Sequence, residues 1–293
     1  MNPAQPEVVF QSDPPPRLPP RSASSHKGDY GRVLLIGGSK GMAGAIGLAG
    51  MAALRSGAGL VKLAVPDAVT SVVAAYEPSY MTANLPCDDS GCFSQAARQP
   101  LLELASGATA VACGPGLGRS GELTAIVGEL FTTLKQPAVF DADALNALST
   151  QPDWLCQPGG PRVLTPHPAE FARLLGIPLA QALAERNQLA AAAALRWGVV
   201  LLVKGSGTLI TDGRRSALNT TGNPGMATGG TGDVLTGIIA ALLGQGLAPF
   251  EAARLGAYLH GLAGDLAADE LGQTSLTASD LCRYLPRAFK SYV

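Results

Sequence analysis

Two hydrophobic patterns alternate along this chain. Short continuous apolar runs, each closed by glycine or a polar turn, are followed by stretches in which apolar residues recur at helical spacing. The runs predict buried strands and the stretches predict helices. Gly31–Gly38 (GRVLLIGG) is the first such strand. Behind it, Ala45, Leu48, Ala49, Ala52 and Ala53 give a helix face of small residues, expected to pack tightly on a sheet. Leu60–Pro66 (LVKLAVP) is the next strand, and residues 67–100 read as a helix followed by an irregular stretch. Ala108–Cys113 is a strand ending in the glycine-rich GPGLGRS, and Pro137–Leu148 and Arg162–Gly176 each read as strand then helix. Val199–Gly213 breaks the alternation, because an apolar strand, a Lys204-Gly-Ser-Gly turn and a second strand make a hairpin. Phe250–Asp269 and Thr277–Tyr292 are the last helices.

Strand–helix alternation with glycine-rich loops at strand ends predicts an α/β fold, a mainly parallel sheet with helices on both faces. It runs as one domain over residues 28–293, without an internal repeat. Residues 1–27 form a proline-rich arm containing QSDPPPRLPPRSASS, read as a linker, an edge arm or a disordered tail. The arm lacks the apolar segment of a secretory signal.

Composition narrows the function. A chain of 293 residues is long enough to bury a sizeable core. Its net charge of −1 gives no electrostatic case for nucleic acid or an acidic membrane. No 18-residue apolar run suggests a spanning helix. The five cysteines are scattered, and although Cys87 and Cys92 lie close, no second pair completes a metal site. All five read as reduced thiols of a cytoplasmic protein. With only His26, His167 and His260 available, no zinc site is expected.

The candidate chemistry centres on Thr221–Gly246 (TGNPGMATGGTGDVLTGIIAALLGQG). Its first half is turn residues, and its second half carries Val234, Leu235, Ile238, Ile239, Leu242 and Leu243 at helical spacing. At the junction, Gly229, Gly230, Thr231 and Gly232 leave the first-turn N–H groups bare, an anion site suited to phosphate. Asp233 stands in the same turn. A phosphate would repel it, so it reads either as a first-turn charge favoured by the helix dipole or as a base that takes a proton from a hydroxyl. The other strand ends carry further candidates. Gly114–Ser120 fits the crevice at the carboxyl end of an open α/β sheet. His167, between two prolines, is rigidly presented at a strand end and reads as a substrate contact. Lys204 is either a solvated turn lysine or part of a nucleotide loop. Either Asp141 or Asp143 could cap the helix that follows, the expected role of at least one of them. Asp143 and Asn146 read as capping and orienting that helix, and His260 as a packed or partner-facing histidine. GGSKGMAG is not the dinucleotide fingerprint G-x-G-x-x-G.

Six ordered blocks then carry a resemblance: LIGGSKGMAGAIGLAGMAALRSGAGLVKLAVP, ACGPGLG, VFDADALNAL, LTPHPAEFARLLG, LVKGSGTLI and NPGMATGGTGDVLTGIIAALLGQG. The chain from about Gly28 resembles the NAD(P)H-hydrate dehydratases, ADP- or ATP-dependent repair enzymes of the ribokinase-like superfamily. The epimerase domain that many bacterial relatives carry is not expected in this chain. The resemblance implies Asp233 as catalytic residue, with Ala43, Gly116, His167 and Asp233 lining the substrate pocket. It also implies Lys204, Gly205, Ser206, Gly207, Thr208 and Gly232 at the nucleotide, and Gly229, Gly230 and Thr231 as the anion loop. ADP or ATP is the implied co-substrate, with Mg²⁺ accompanying it and no dedicated protein cage for the metal. The implied substrates are NADHX and NADPHX, reduced nicotinamide cofactors hydrated at C6, and the implied assembly is a homo-oligomer, often a tetramer. Residues 84–98 (NLPCDDSGCFSQAAR) read as an insertion. A true small-molecule kinase of the same superfamily, of the thiazole or pyrimidine kinase type, shares the glycine loop and the Asp. The LTPHPAEF and GGSKGMAGA blocks fit the dehydratase better. A nucleotide-binding scaffold without turnover has no use for Asp233.

Overall fold

The computed structural model describes residues 9–292. Strands β1 (Val9–Phe10), β2 (Arg32–Ile36), β3 (Leu60–Pro66), β4 (Met81–Leu85), β5 (Ala110–Cys113), β6 (Ala138–Phe140), β7 (Arg162–Leu164), β8 (Val200–Val203), β9 (Leu209–Thr211) and β10 (Arg215–Leu218) form one sheet. Its spatial order is β1-β10-β9-β8-β7-β6-β5-β2-β3-β4. The strands from β8 across to β4 are all parallel, and β9 runs antiparallel to both neighbours. The expected hairpin around Lys204 is thus the β8–β9 turn.

Continuous apolar strands serve two cores at once, because successive side chains point to opposite faces. Val33 and Leu35 of β2 enter one core while Leu34 and Ile36 enter the other. The first core is covered by α1 (Ala43–Arg55), α2 (Thr70–Ala74), α9 (Thr231–Gly244), α10 (Pro249–Leu271) and α11 (Ala278–Tyr292). The second lies under α3 (Arg98–Ser106), α4 (Gly121–Thr133), α5 (Ala142–Ser149), α6 (Pro168–Leu175), α7 (Leu179–Ala184) and α8 (Arg186–Trp197).

Two expectations change here. The small-residue face of α1 packs against α9 as well as the sheet: a Cβ on Gly237 would fall 2.1 Å from the Ala49 carbonyl oxygen. The irregular stretch predicted within 67–100 contains β4 and the start of α3. Between them, the 84–98 segment is an ordered loop with a Cys87–Phe93 bridge, and Phe93 is fully buried in the second core. All five cysteines are unbridged.

Of the proline-rich arm, residues 1–8 lie outside the described residues. The rest is an edge arm, with β1 added in parallel to β10 and the chain then crossing beneath α10, α11 and the end of α1. From β2 the chain runs outward through β3 and β4, then returns to place β5 on the other side of β2. The loops after β2 and β5 diverge at that reversal, which opens the crevice where α/β sheets take ligands.

Candidate active site

The loops after β2, β5, β6, β7 and β8 meet at this crevice, and α9 enters it with its amino end. Gly230, at the N-cap of α9, has φ 91°, a left-handed conformation that glycine adopts without strain. The amides from Gly229 to Asp233 have no protein acceptor among the described residues, so the positive end of the helix is open. The turn before it is fixed: Asp265 accepts hydrogen bonds from the Gly222 N–H and the Asn223 side-chain amide, both at 2.9 Å. His260 Nε2 lies 2.9 Å from the Thr231 carbonyl oxygen. Burial pushes the His260 pKa down to about 4, so the ring is neutral and donates its Nε2 proton to that oxygen. His260 is therefore a packed residue that steadies the first turn of α9.

Asp233 receives no hydrogen bond from the protein among the described residues, and its pKa is raised to about 7. Burial is the main cause, followed by the charge of Asp141 and, more weakly, Asp143, while Lys204 pulls the other way. Asp141, only 1% exposed, anchors the cluster. One of its oxygens accepts from Lys204 Nζ at 2.8 Å and the other from the Thr236 hydroxyl at 2.7 Å, one turn of α9 beyond Asp233. Burial disfavours charge on Lys204, but Asp141, Glu170 and Asp233 more than offset this and hold its pKa above the ordinary range. A Cβ on Gly232 would lie 3.1 Å from Lys204 Nζ, so glycine is what lets the lysine approach the α9 turn.

At least one of Asp141 and Asp143 was expected to cap α5, and Asp141 does not. It occupies the N-cap position but makes no capping bond, its carboxylate being spent on Lys204 and Thr236. Next to it, Ala142 has φ 49°, the sole positive φ outside glycine among the described residues. That conformation costs an L-residue about 1–2 kcal/mol. It marks a junction held in place by its surroundings.

His167 is at once a cap and an exposed imidazole. Its Nδ1 accepts from the Ala169 and Glu170 N–H groups at 3.1 and 3.3 Å, and the Glu170 carboxylate accepts from the His167 N–H at 2.8 Å. Burial and then the charge of Lys204 lower the His167 pKa, which leaves a neutral ring protonated at Nε2. That edge is half exposed, 3.4 Å from Glu170 Oε1. Ala43 opens α1 beside the β5 loop, where a Cβ on Gly116 would lie 2.5 Å from the Met42 carbonyl oxygen and 3.0 Å from Ala45 Cβ. Ser39 closes this wall by donating to the Gly116 carbonyl oxygen at 2.9 Å.

Of the residues expected from sequence, Lys204, Gly232 and Asp233 form one cluster, with His167 beside Lys204. Ala43 and Gly116 meet as a separate wall, and Gly205, Ser206 and Gly207 are exposed at the rim with Thr208 behind them. Among the described residues there is no group of three or more His, Cys, Asp or Glu poised for a metal.

Residues 33–287 match the family model described as NAD(P)H-hydrate dehydratase. The chain belongs to the NAD(P)H-hydrate dehydratase family. It is 52% identical over 277 residues to the bifunctional NAD(P)H-hydrate repair enzyme Nnr of Moorella thermoacetica, a match covering 94% of this chain and 52% of that one. It is 41% identical over 272 residues to the Escherichia coli Nnr, covering 92% of this chain and 50% of the other. The chain thus spans about half the length of the curated relatives it matches. Among solved structures, the ADP/ATP-dependent NAD(P)H-hydrate dehydratase of Bacillus subtilis, co-crystallised with ATP and Mg²⁺, superimposes with a TM-score of 0.79 at 32% identity. That match covers 94% of this chain and 95% of the Bacillus one, and the fold is ribokinase-like. A hydroxyethylthiazole kinase from Pyrococcus horikoshii, 20% identical with a TM-score of 0.57 over 83% of this chain and 96% of its own, shares the fold.

Proposed function

We propose that this member of the dehydratase family restores NADH and NADPH from their C6 hydrates at the expense of ADP or ATP. The observation that carries this reading is Asp233, an unpaired carboxyl with a pKa of about 7 set in a turn of free amides. A base of that strength is suited to taking a proton from a hydroxyl near neutral pH.

Hydroxide is a poor leaving group, so the ring hydroxyl at C6 needs activation. As the terminal phosphoryl group of ADP passes to that oxygen, Asp233 accepts its proton and AMP departs. The Gly229–Gly232 amides and Lys204 offset the charge on the transferring group. The lone pair of the ring nitrogen then expels phosphate from C6, and loss of a proton from C5 completes the double bond. The C6 oxygen has left in phosphate, ADP has become AMP, and the reduced nicotinamide is restored. Lys204 to Thr208 would border the nucleotide, and Ala43, Gly116 and His167 the nicotinamide, with the neutral His167 offering a hydrogen bond from Nε2. Mg²⁺ would screen the phosphate charge. It would be held largely by water and the nucleotide's phosphate oxygens.

The test follows absorbance at 340 nm with NADHX or NADPHX, Mg²⁺, and ADP or ATP in turn. Recovery of absorbance that requires both hydrate and nucleotide is expected. Phosphorylation of a thiazole or pyrimidine alcohol, with no recovery from either hydrate, would instead assign a kinase.

A further inference from the structure

A second cavity, about 360 Å³, opens beside the crevice between the Gly118–Gly121 loop, α5 and α6. Two guanidinium groups border it, Arg119 from the loop and Arg173 from α6. Neither takes part in the chemistry above, and each is held in a set direction. Arg119 Nε donates to Asp143 Oδ1 at 3.2 Å, and Arg173 donates to Asn146 Oδ1. Asp143, the one carboxylate in the lining, also accepts from the Gly118 N–H at 3.0 Å and the Asn146 amide at 3.2 Å. Its charge is therefore shared among three donors, and the remaining N–H groups of both arginines are left for an anion. Planar guanidinium forks are the donors best matched to phosphate oxygens.

The cavity is placed to receive the far end of a ligand whose reactive ring sits at Asp233. Gly118 belongs to the same loop as Gly116. Arg119 follows Gly116 by three residues, a reach of no more than about 10 Å. Arg173 follows His167 by six helical positions, about 9 Å along α6. A nicotinamide riboside spans a comparable length. Resting on the function proposed above, we infer that this cavity binds the phosphorylated adenosine half of the hydrated dinucleotide, with Arg119 and Arg173 on its phosphate oxygens. Two parts of the substrate offer that chemistry: the diphosphate bridge common to NADHX and NADPHX, and the ribose 2′-phosphate of NADPHX alone.

The test replaces both residues, Arg119→Gln with Arg173→Gln, and compares three substrates: NADHX, NADPHX and the hydrate of reduced nicotinamide riboside, which carries no phosphate. A KM increase of at least tenfold for both dinucleotides assigns the arginines to the diphosphate. An increase confined to NADPHX assigns them to the 2′-phosphate. In either case the riboside hydrate should change less than threefold. Unchanged KM for both dinucleotides overturns the inference, as does an equal loss for the riboside. A binding measurement separates this inference from the reaction itself: calorimetric titration of 2′-phospho-ADP-ribose with the nucleotide site saturated by AMP. Binding by the native chain that the double variant loses supports the cavity assignment, even if neither hydrate is turned over and the proposed function falls. Equal affinity in both proteins overturns it.

Discussion

At the scale of single residues, Asp233 carries opposite demands for stability and chemistry. Its pKa of about 7 lies above the ordinary carboxylate value, so the folded chain binds its proton more tightly than the unfolded chain does. The stabilisation tied to that proton is fully present below about pH 4 and is lost as pH rises through 7. Asp233→Asn removes the titration. The variant should gain about 1–2 kcal/mol over the native chain at pH 8, once water reaching the partly exposed carboxyl is allowed for, and the gain should shrink towards pH 4. Turnover should fall about 10²–10⁴-fold. Melting curves and turnover on one preparation test both halves, and a variant that is less stable at pH 8 with near-normal turnover would make Asp233 a simple helix-start charge. Asp141 gives a second test. Its charge raises the Asp233 pKa, and it is hydrogen-bonded to Lys204, which lowers it. Asp141→Asn removes the first influence and frees the second, so the acid limb of kcat/KM, expected near pH 7 in the native chain, should move to lower pH. A limb that stays near 7 would separate Asp141 from the base.

At the scale of elements, the KGSGT turn between β8 and β9 gives a test in which packing plays no part. Gly205 has φ 140°, and a Cβ there would meet nothing within 4 Å. Gly205→Val therefore introduces backbone strain of about 1–3 kcal/mol without a clash. The melting temperature should fall by only a few degrees, as that strain implies, while calorimetric affinity for ADP falls roughly tenfold, about 1.4 kcal/mol. Unaltered ADP affinity would remove this loop from the nucleotide site. The same elements show how far sequence reaches. β2, β3 and β5 to β9 were legible because each lies within an apolar run bounded by turn residues. β4 (MTANL) was not, since it is an edge strand with one buried residue of five and carries no such run. β10 is a short polar RSAL whose strand character comes only from pairing with β9. Within the site, Lys204 and Asp233 stood out through their glycine neighbours. Asp141 did not, because an Asp at a helix start reads as a cap. Its partnership with Lys204 spans 63 residues and exists only once β6 and β8 flank β7. The Arg119–Arg173 pair was invisible for the same reason: no spacing rule links a loop after β5 to the far end of α6.

At the scale of the whole molecule, the site and the proline-rich arm occupy opposite edges of the sheet. The loops around Asp233 lie at the carboxyl ends of the strands. The arm passes the other edge, where the Arg21 guanidinium donates to the Gly57 carbonyl oxygen at the end of α1, at 2.6 Å. Arg254 of α10, 5% exposed, donates to the Asp13 carbonyl oxygen at 2.6 Å and is also paired with Glu251. The Tyr292 hydroxyl donates to the Pro15 carbonyl oxygen, and Leu18 packs on the first core. Prolines suit this path, since their fixed φ reduces the conformational freedom lost when the arm is laid down. Removing residues 1–25 would leave Arg254 short of an acceptor, at about 1–3 kcal/mol. It would also uncover the β10 edge and the apolar patch under Leu18. The melting temperature should fall by on the order of 5 °C. ADP affinity should stay within about twofold, because none of these contacts lies at the carboxyl edge of the sheet. The shortened chain should also associate at high concentration, since β10 then presents an unpaired edge strand to a second copy. Differential scanning calorimetry, ADP titration and light scattering on the truncated protein separate these outcomes. A large loss of ADP affinity without a change in melting temperature would contradict the separation of arm and site.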